Sequence, residues 1–215
     1  MDPYKTPLCA AVAEFTEKKS RFIGSIKPVA SSEEALAFLQ TVRAQHREAS
    51  HNVYCYRLKS DAGSQQTLCR HSDDGEPSGT AGMPLLETFL RQDIFDFCCV
   101  ATRYFGGVLL GAGGLTRAYS RCGAIALEAS GVAVMREMAL CETVMPYAQY
   151  ELAKRLLLSC GAEVISEDFG AEVTVGCALP AEDVAALRAR MTELTAGTIN
   201  IGVKRYTMQR GFFSA

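Results

Sequence analysis

Several protein classes are excluded by what this chain does not contain. Its nine cysteines include no CxxC pair, their number is odd, and some lie inside apolar runs such as Phe97-Cys98-Cys99-Val100. A free thiol in such a run behaves as a small hydrophobe, so a disulfide scaffold is not expected. No apolar stretch approaches the roughly 18 residues of a membrane-spanning helix. The opening MDPYKTPLCAAVAEF has no charged-then-apolar export pattern. A reduced, cytoplasmic protein without a membrane partner is the expectation. An excess of one charge is missing as well. The net charge is −2, with 14 basic and 14 acidic residues up to position 134 and 8 basic and 10 acidic beyond it. Any nucleic-acid surface must therefore arise from local clustering. There is no Walker lysine, no GxGxxG opening a helix after a strand, and no nucleophile elbow. Hydrolase chemistry is not supported, no catalytic residue stands out, and no cofactor or bound metal is expected.

What the chain does have is enough apolar material for a proper core. Of 215 residues 48% are apolar and 21% charged, which suits one large domain or two small ones. The C-terminal part reads most simply. A strand at Glu137–Met145 stops at Pro146, which opens a helix ending at Gly161. Ala162–Glu167 and Glu172–Leu179 flank a hairpin turn. A second helix carries Val184, Leu187, Met191 and Leu194 at helical spacing and stops at Gly197. Thr198–Met208 closes the chain as a strand. The order βαββαβ is that of a ferredoxin-like sandwich.

The N-terminal part reads as strands at Cys9–Thr16 and Arg21–Pro28, a helix, and strands at His51–Leu58 and near Thr67–His71. A helix over Met83–Gln92, a strand at Phe95–Arg103 and a helix at Leu115–Ser130 follow. Ser31 and Glu34 form a capping box for the first helix, whose buried stripe is predicted as Leu36, Leu39 and Val42. The Phe95–Arg103 strand is apolar enough to be covered on both faces. In the last helix, Leu115, Ala118, Cys122, Ile125 and Ala129 are predicted to point inward, with Arg117 and Arg121 one turn apart on the opposite side. A boundary near Gly131–Met135 gives an α+β protein of two domains, 1–134 and 135–215.

Two glycine-rich loops, His71–Pro84 and Thr102–Arg121, are the densest polar features. In the second, Gly106-Gly107 and Gly113-Gly114 bracket Val108-Leu109-Leu110 and lead into a helix. Amides at a helix N-terminus, reached through glycines, make an anion site. Arg103 and Arg117 stand on either side of it, and a tight strand-to-helix connection is the plainer alternative. The first loop brings Asp73, Asp74, Glu76, Ser78 and Thr80, residue types that suit Mg²⁺ or phosphate. Equally, Asp73 or Asp74 would cap a turn, Ser78 or Thr80 the following helix, and the carboxylates would pair with arginines of the second loop. His51, Cys55, Cys69 and His71 alternate onto shared strand faces, but without a usual zinc spacing. Tyr104, Phe105 and Tyr119 lie near Arg103 and Arg117, an arrangement suited to base stacking or to wall packing. The basic spots Lys18-Lys19-Arg21, Arg43/Arg47 and Lys204-Arg205 read as solvated faces.

The blocks SRFIGSI (Ser20–Ile26), ASHNVYCYRL (Ala49–Leu58), SDDGEPSGTAGMPLL (Ser72–Leu86) and TRYFGGVLLGAGGLTRAYS (Thr102–Ser120) resemble the IMPACT/YigZ family. The resemblance implies an N-terminal β/α sandwich similar to the second domain of a small-subunit ribosomal protein and to the fourth domain of elongation factor G. It implies a C-terminal domain similar to that factor's fifth. It also implies a non-enzymatic, translation-associated regulatory protein that binds RNA, the ribosome or a protein partner. Eukaryotic relatives act by competing for the activator of an initiation-factor kinase, through an additional N-terminal domain that this chain lacks. The binding residues so implied are His51, Arg103, Tyr104, Gly106, Gly107, Gly113, Gly114 and Arg117. Tyr119 and Arg121 join them from the residue reading, beside Asp73, Asp74, Glu76, Ser78 and Thr80 of the acidic loop. The competing reading is an enzyme that holds a nucleotide or phosphate on Gly106–Gly114 and Mg²⁺ on Asp73–Glu76, on a fold class similar to the GHMP small-molecule kinases.

Overall fold

The computed structural model describes residues 3–59 and 67–211. The chain forms two units, Tyr4–Val134 and Met135–Gly211, each a mixed α/β arrangement around an antiparallel sheet. In chain order the first unit contains β1 (Tyr4–Pro7), β2 (Ala11–Glu17), β3 (Ser20–Pro28), α1 (Ser32–Gln45), β4 (His51–Leu58), β5 (Leu68–Ser72), α2 (Gly82–Leu90), β6 (Phe97–Tyr104) and α3 (Ala112–Ser130). Its five-stranded sheet has the order β2-β3-β6-β4-β5.

The central place of β6 follows from its sequence. Phe97, Cys99 and Ala101 join the core beneath α2 and α3, while Cys98 and Val100 join the core beneath α1 on the other face. A strand apolar at successive positions must be covered on both sides, and this one is. The α1 capping box forms as expected: Glu34 N–H donates to Ser31 Oγ at 3.3 Å, and Glu34 Oε2 accepts from Ala30 N–H at 3.0 Å.

The helical stripes hold at Leu39 and Val42 of α1 and at Leu115, Ala118 and Cys122 of α3, and depart from the sequence reading elsewhere. In α1 the buried residues are Ala35, Leu39 and Val42, and Leu36 is 45% exposed. In α3, Ala126 and Leu127 are buried, Ile125 is half-buried and Ala129 is exposed. β1 was not expected. Its backbone is held by Phe95 N–H donating to Lys5 C=O at 2.8 Å and by a parallel bridge between Lys5 and Ile94.

The second unit runs β7 (Val132–Met145, begun on the first unit's side of the division), α4 (Tyr147–Ser159), β8 (Glu163–Phe169) and β9 (Val173–Pro180). A 3₁₀ turn (Ala181–Asp183), α5 (Val184–Thr195) and β10 (Ile201–Gly211) complete it. β7 starts five residues earlier than predicted. In its sheet β7, β9 and β8 are adjacent in that order, and β10 also pairs with β7. The core joins Leu156 and Leu157 of α4 and Leu187 and Met191 of α5 to Val173 and Val175 of β9. Leu194 is exposed, and Thr195 takes the buried place beside it. Among the described residues no helix is long and apolar enough to cross a membrane.

Candidate functional site

Three segments of the first unit meet at one end of its sheet: the turn between β2 and β3, the acidic loop after β5, and the glycine loop between β6 and α3. Register places them there. His51 at the start of β4 is the partner of Arg103 near the end of β6, and Arg21 of β3 is the partner of Tyr104.

The acidic loop is organised by its own carboxylates. Asp73 accepts from the amides of Gly79 at 2.9 Å, Ala81 at 3.1 Å and Gly82 at 2.7 Å, so it caps α2 from eight residues upstream. Burial acts to raise its pKa. The Gly79, Gly82 and Ala81 amides outweigh that and hold the carboxyl below its usual value. Asp74 accepts from Asn52 N–H at 2.7 Å and Arg43 Nη2 at 2.6 Å. The expectation that Ser78 or Thr80 caps the helix is corrected. Ala81 occupies the cap position, Thr80 Oγ1 donates to Pro77 C=O at 2.7 Å, and Ser78 is exposed. With Asp73 and Asp74 so occupied, no group of three His, Cys, Asp or Glu able to hold a metal exists among the described residues. That applies to the imagined Mg²⁺ set and to His51, Cys55, Cys69 and His71 alike.

Beneath the loop lies a buried charge network. Arg103, 4% exposed, donates from Nη1 to Glu76 Oε1 at 2.6 Å and from Nη2 to Ser20 Oγ at 3.3 Å. Its Nε is buried without a partner. Tyr119 donates to the same Glu76 oxygen at 2.7 Å. Its pKa is pushed well above the usual phenol value, first by burial and then by that carboxylate. His51 Nδ1 lies 2.9 Å from Asp74 C=O. A carbonyl only accepts, so Nδ1 carries the proton, and in the neutral ring Nε2 is an acceptor. Nε2 stands 3.8 Å from Glu76 Oε1. Buried ionic groups contribute little net stability and concentrate at functional sites.

The glycine loop fits tightly against the β2–β3 turn. A Cβ on Gly106 would lie 2.0 Å from Lys19 C=O, so only glycine allows this approach. Lys18 and Lys19 form a two-residue hairpin turn with positive φ, 43° and 69°. Such turns favour Asn-Gly, and each left-handed non-glycine residue costs roughly 1–2 kcal/mol. Gly111 (φ 71°) starts α3, whose N-terminus has no side-chain cap. Two hollows flank that end of the helix and share Leu110. One, about 250 Å³, is lined by Phe15, Glu17, Lys18, Gly114, Arg117 and Arg121. The other, about 370 Å³, has His51, Glu76 and Arg103 among its polar lining and Phe105, Leu109 and Leu115 among its walls.

The expected site residues therefore divide into three groups. Arg117, Arg121, Gly113 and Gly114 lie in the N-terminal half of α3, and Gly107 is exposed in the preceding loop. Arg103 and Tyr119, expected to meet phosphate and base, face inward to Glu76 instead. Tyr119 is wholly buried because it is on the core side of α3. Tyr104 is half-buried and hydrogen-bonds His46 Nδ1 at 3.0 Å. Sequence reasoning missed Ser20, which also accepts from Gly106 N–H at 3.3 Å, together with Asn52 and Arg43. Ser20 lies inside a conspicuous block, but nothing local shows that its hydroxyl bridges two distant loops. Lys18 read as part of a scattered basic spot.

Comparison with known proteins places this architecture. Residues 18–127 match the Impact N-terminal domain, and residues 143–198 match a domain of unknown function, DUF1949. The chain is 32% identical over 203 residues to IMPACT family member YigZ of Escherichia coli, covering 94% of this chain and 98% of that protein. It is 40% identical over 144 residues to IMPACT family member YvyE of Bacillus subtilis, covering 67% of this chain and 64% of that one. A solved structure described as that of a hypothetical protein superimposes with a TM-score of 0.59 at 32% identity, covering 95% of this chain and 98% of its own. The charge network and both glycine loops lie within the matched N-terminal domain, and on these matches the chain belongs to the IMPACT family.

Proposed function

We propose that this protein is a translation-associated regulator that binds RNA along the basic hollow beside the N-terminus of α3. One observation carries the reading. Lys18, Arg117 and Arg121 line a single hollow next to an uncapped helix N-terminus, and Arg117 has no ion pair among the described residues. Arg121 is only loosely paired, 3.9 Å from Glu17, and lies 4.3 Å from the centroid of the Phe15 ring. Cations grouped at a helix N-terminus attract phosphate oxygens, and a strained Lys-Lys turn is the kind of backbone cost found at functional sites. Family membership supports the link to translation. The βαββαβ element order, with β7, β9 and β8 adjacent and β10 paired to β7, supports a ferredoxin-like second unit, although fold alone does not assign a role.

The test is fluorescence anisotropy with a structured ribosomal RNA fragment at two salt concentrations. Wild type is expected to bind with steep salt sensitivity, and Arg117→Glu to weaken binding about uniformly across sequences. Equal affinity of variant and parent removes the assignment. If neither binds RNA, and saturating nucleotide with Mg²⁺ raises the melting temperature, the phosphate-ligand enzyme takes its place.

A further inference from the structure

The second unit carries a surface that RNA binding does not use. β8 lies at the edge of its sheet and, among the described residues, pairs only with β9. The outward N–H and C=O groups of an edge strand are unpaired, a template for one more strand. Cross-strand partners share a face of the sheet. Val164, Glu167 and Phe169 stand opposite the core residues Cys177, Val175 and Val173, so they lie on the helix side. Glu163, Ser166 and Asp168 occupy the other face. Contacts agree with this placement: the Phe169 ring lies 5.4 Å from that of Tyr150 and 6.3 Å from that of Tyr147, both in α4.

Edges are commonly shielded by charge, proline or a bulge. β8 does contain a bulge, but it falls between Val164 and Ser166 and leaves the pairing of 166–169 with β9 regular. The strand also keeps apolar surface that a merely shielded edge lacks, with Ile165 58% and Phe169 54% exposed. Charge selects what docks there. Glu163, Asp168 and Glu172 are exposed and make no ion pair among the described residues, whereas Glu167 is held by Lys154 at 2.8 Å. These carboxylates repel a nucleic acid or an anionic lipid. A second copy presenting its own β8 would set carboxylate against carboxylate, which is destabilising. Presenting β10 instead would make a head-to-tail contact that does not close as a dimer, and Lys204 of β10 is already paired with Glu142 at 2.7 Å.

We propose that β8 is the docking edge for an extended basic segment of a partner protein, one in which lysine or arginine alternates with apolar residues. Strand addition satisfies the outward backbone groups, and the side chains of the added strand alternate between the two faces. On one face its cations meet Asp168 and Glu163. On the other its apolar side chains cover Phe169 and Tyr147, which are exposed beside α4. This surface is independent of the RNA reading, and neither stands or falls with the other.

The experiment titrates the full chain into a fluorescein-labelled octapeptide of alternating lysine and valine. Its control has the same composition with the lysines and valines in separate blocks. Wild type is expected to bind the alternating peptide about tenfold more tightly, because only that order presents one kind of side chain to each face. Bound peptide should slow amide hydrogen exchange within β8 and leave the first unit unchanged. Glu163→Lys combined with Asp168→Lys, both at exposed positions, should weaken binding about tenfold by reversing the cross-strand charge pairs. Phe169→Ala is the second variant, expected to lose about threefold through the missing apolar contact. Arg117→Glu, which tests the RNA reading, should bind the peptide as wild type does. Equal affinity of wild type for the two peptides overturns the proposal, as does full affinity in both β8 variants or exchange slowed in the first unit instead. A dimer mass for wild type in light scattering that reverts to monomer in the double-lysine variant assigns the edge to a second copy and overturns the partner assignment.

Discussion

Asp73 shows how much one carboxylate does in this protein. It satisfies three amides, two of them at the start of α2, and so fixes the loop that carries Glu76 into the core. Replacing Asp73 by Ala removes a helix cap, with an expected cost of about 1–2 kcal/mol in chemical denaturation at neutral pH. The pH dependence follows from the direction of its shift. A carboxyl held below its unfolded pKa of about 3.9 contributes stability that is fully present above that value. The contribution is lost as pH falls through the lower folded value. The stability gap between wild type and Asp73→Ala should thus be constant above about pH 5 and shrink in more acidic solution. A gap that widens on acidification contradicts the assignment. At this scale the sequence was partly legible: a carboxylate–arginine pairing between the loops was a readable alternative, whereas Asp73 or Asp74 was read as capping a turn and not the helix that Asp73 caps. That Glu76, rather than its neighbours, meets Arg103 depends on where Ser20, Tyr119 and His51 converge, and no local pattern encodes that.

Among the elements, the glycine loop and the β2–β3 hairpin act as a single piece. Ser20 Oγ binds both Arg103 and Gly106, and Gly106 is pressed against the Lys19 carbonyl. A methyl group on Gly106 meets backbone on its near side, so it cannot be relieved by a side-chain rotation. Gly106→Ala is expected to destabilise the protein by roughly 1–3 kcal/mol, as overpacking does. It should also weaken RNA binding beyond that, because Lys18 shifts with the turn. Normal affinity and melting temperature in this variant would show that the two loops move independently. Element type and order were readable from periodicity and from the proline and glycine punctuation. The buried stripes of α1 and α3 were right at Leu39, Val42, Leu115, Ala118 and Cys122 and fell one position off at Leu36, Ile125 and Ala129, because adjacent positions satisfy a 3.6-residue period almost equally well.

For the molecule as a whole, the cysteines give a direct test of packing. All nine are free thiols; Cys9 is exposed, Cys69 and Cys160 are half-buried, and the other six are buried. Burial raises Cys98 and Cys122 to about 12, so neither forms the reactive thiolate near neutral pH. Titration with a disulfide reagent at pH 7.5 should modify Cys9 quickly and Cys69 and Cys160 more slowly. The remaining six should react only on unfolding. Rapid reaction of more than three thiols in the native protein would show that one of the cores is open.

Composition and pattern were sufficient for the buried cysteines of β6, the two α/β units, the central doubly covered strand and the location of the polar loops. Those properties follow from local periodicity, from turn residues and from the ratio of apolar to charged groups, all of which act along the chain. Tertiary structure alone decided which charges are available to a ligand. Arg103 and Arg117 look equivalent in sequence, yet Arg103 is committed to a buried carboxylate 27 residues away while Arg117 faces the solvent. The difference arises because a charge buried in the core must find its counter-charge there, whereas one at the surface is satisfied by water until a partner arrives.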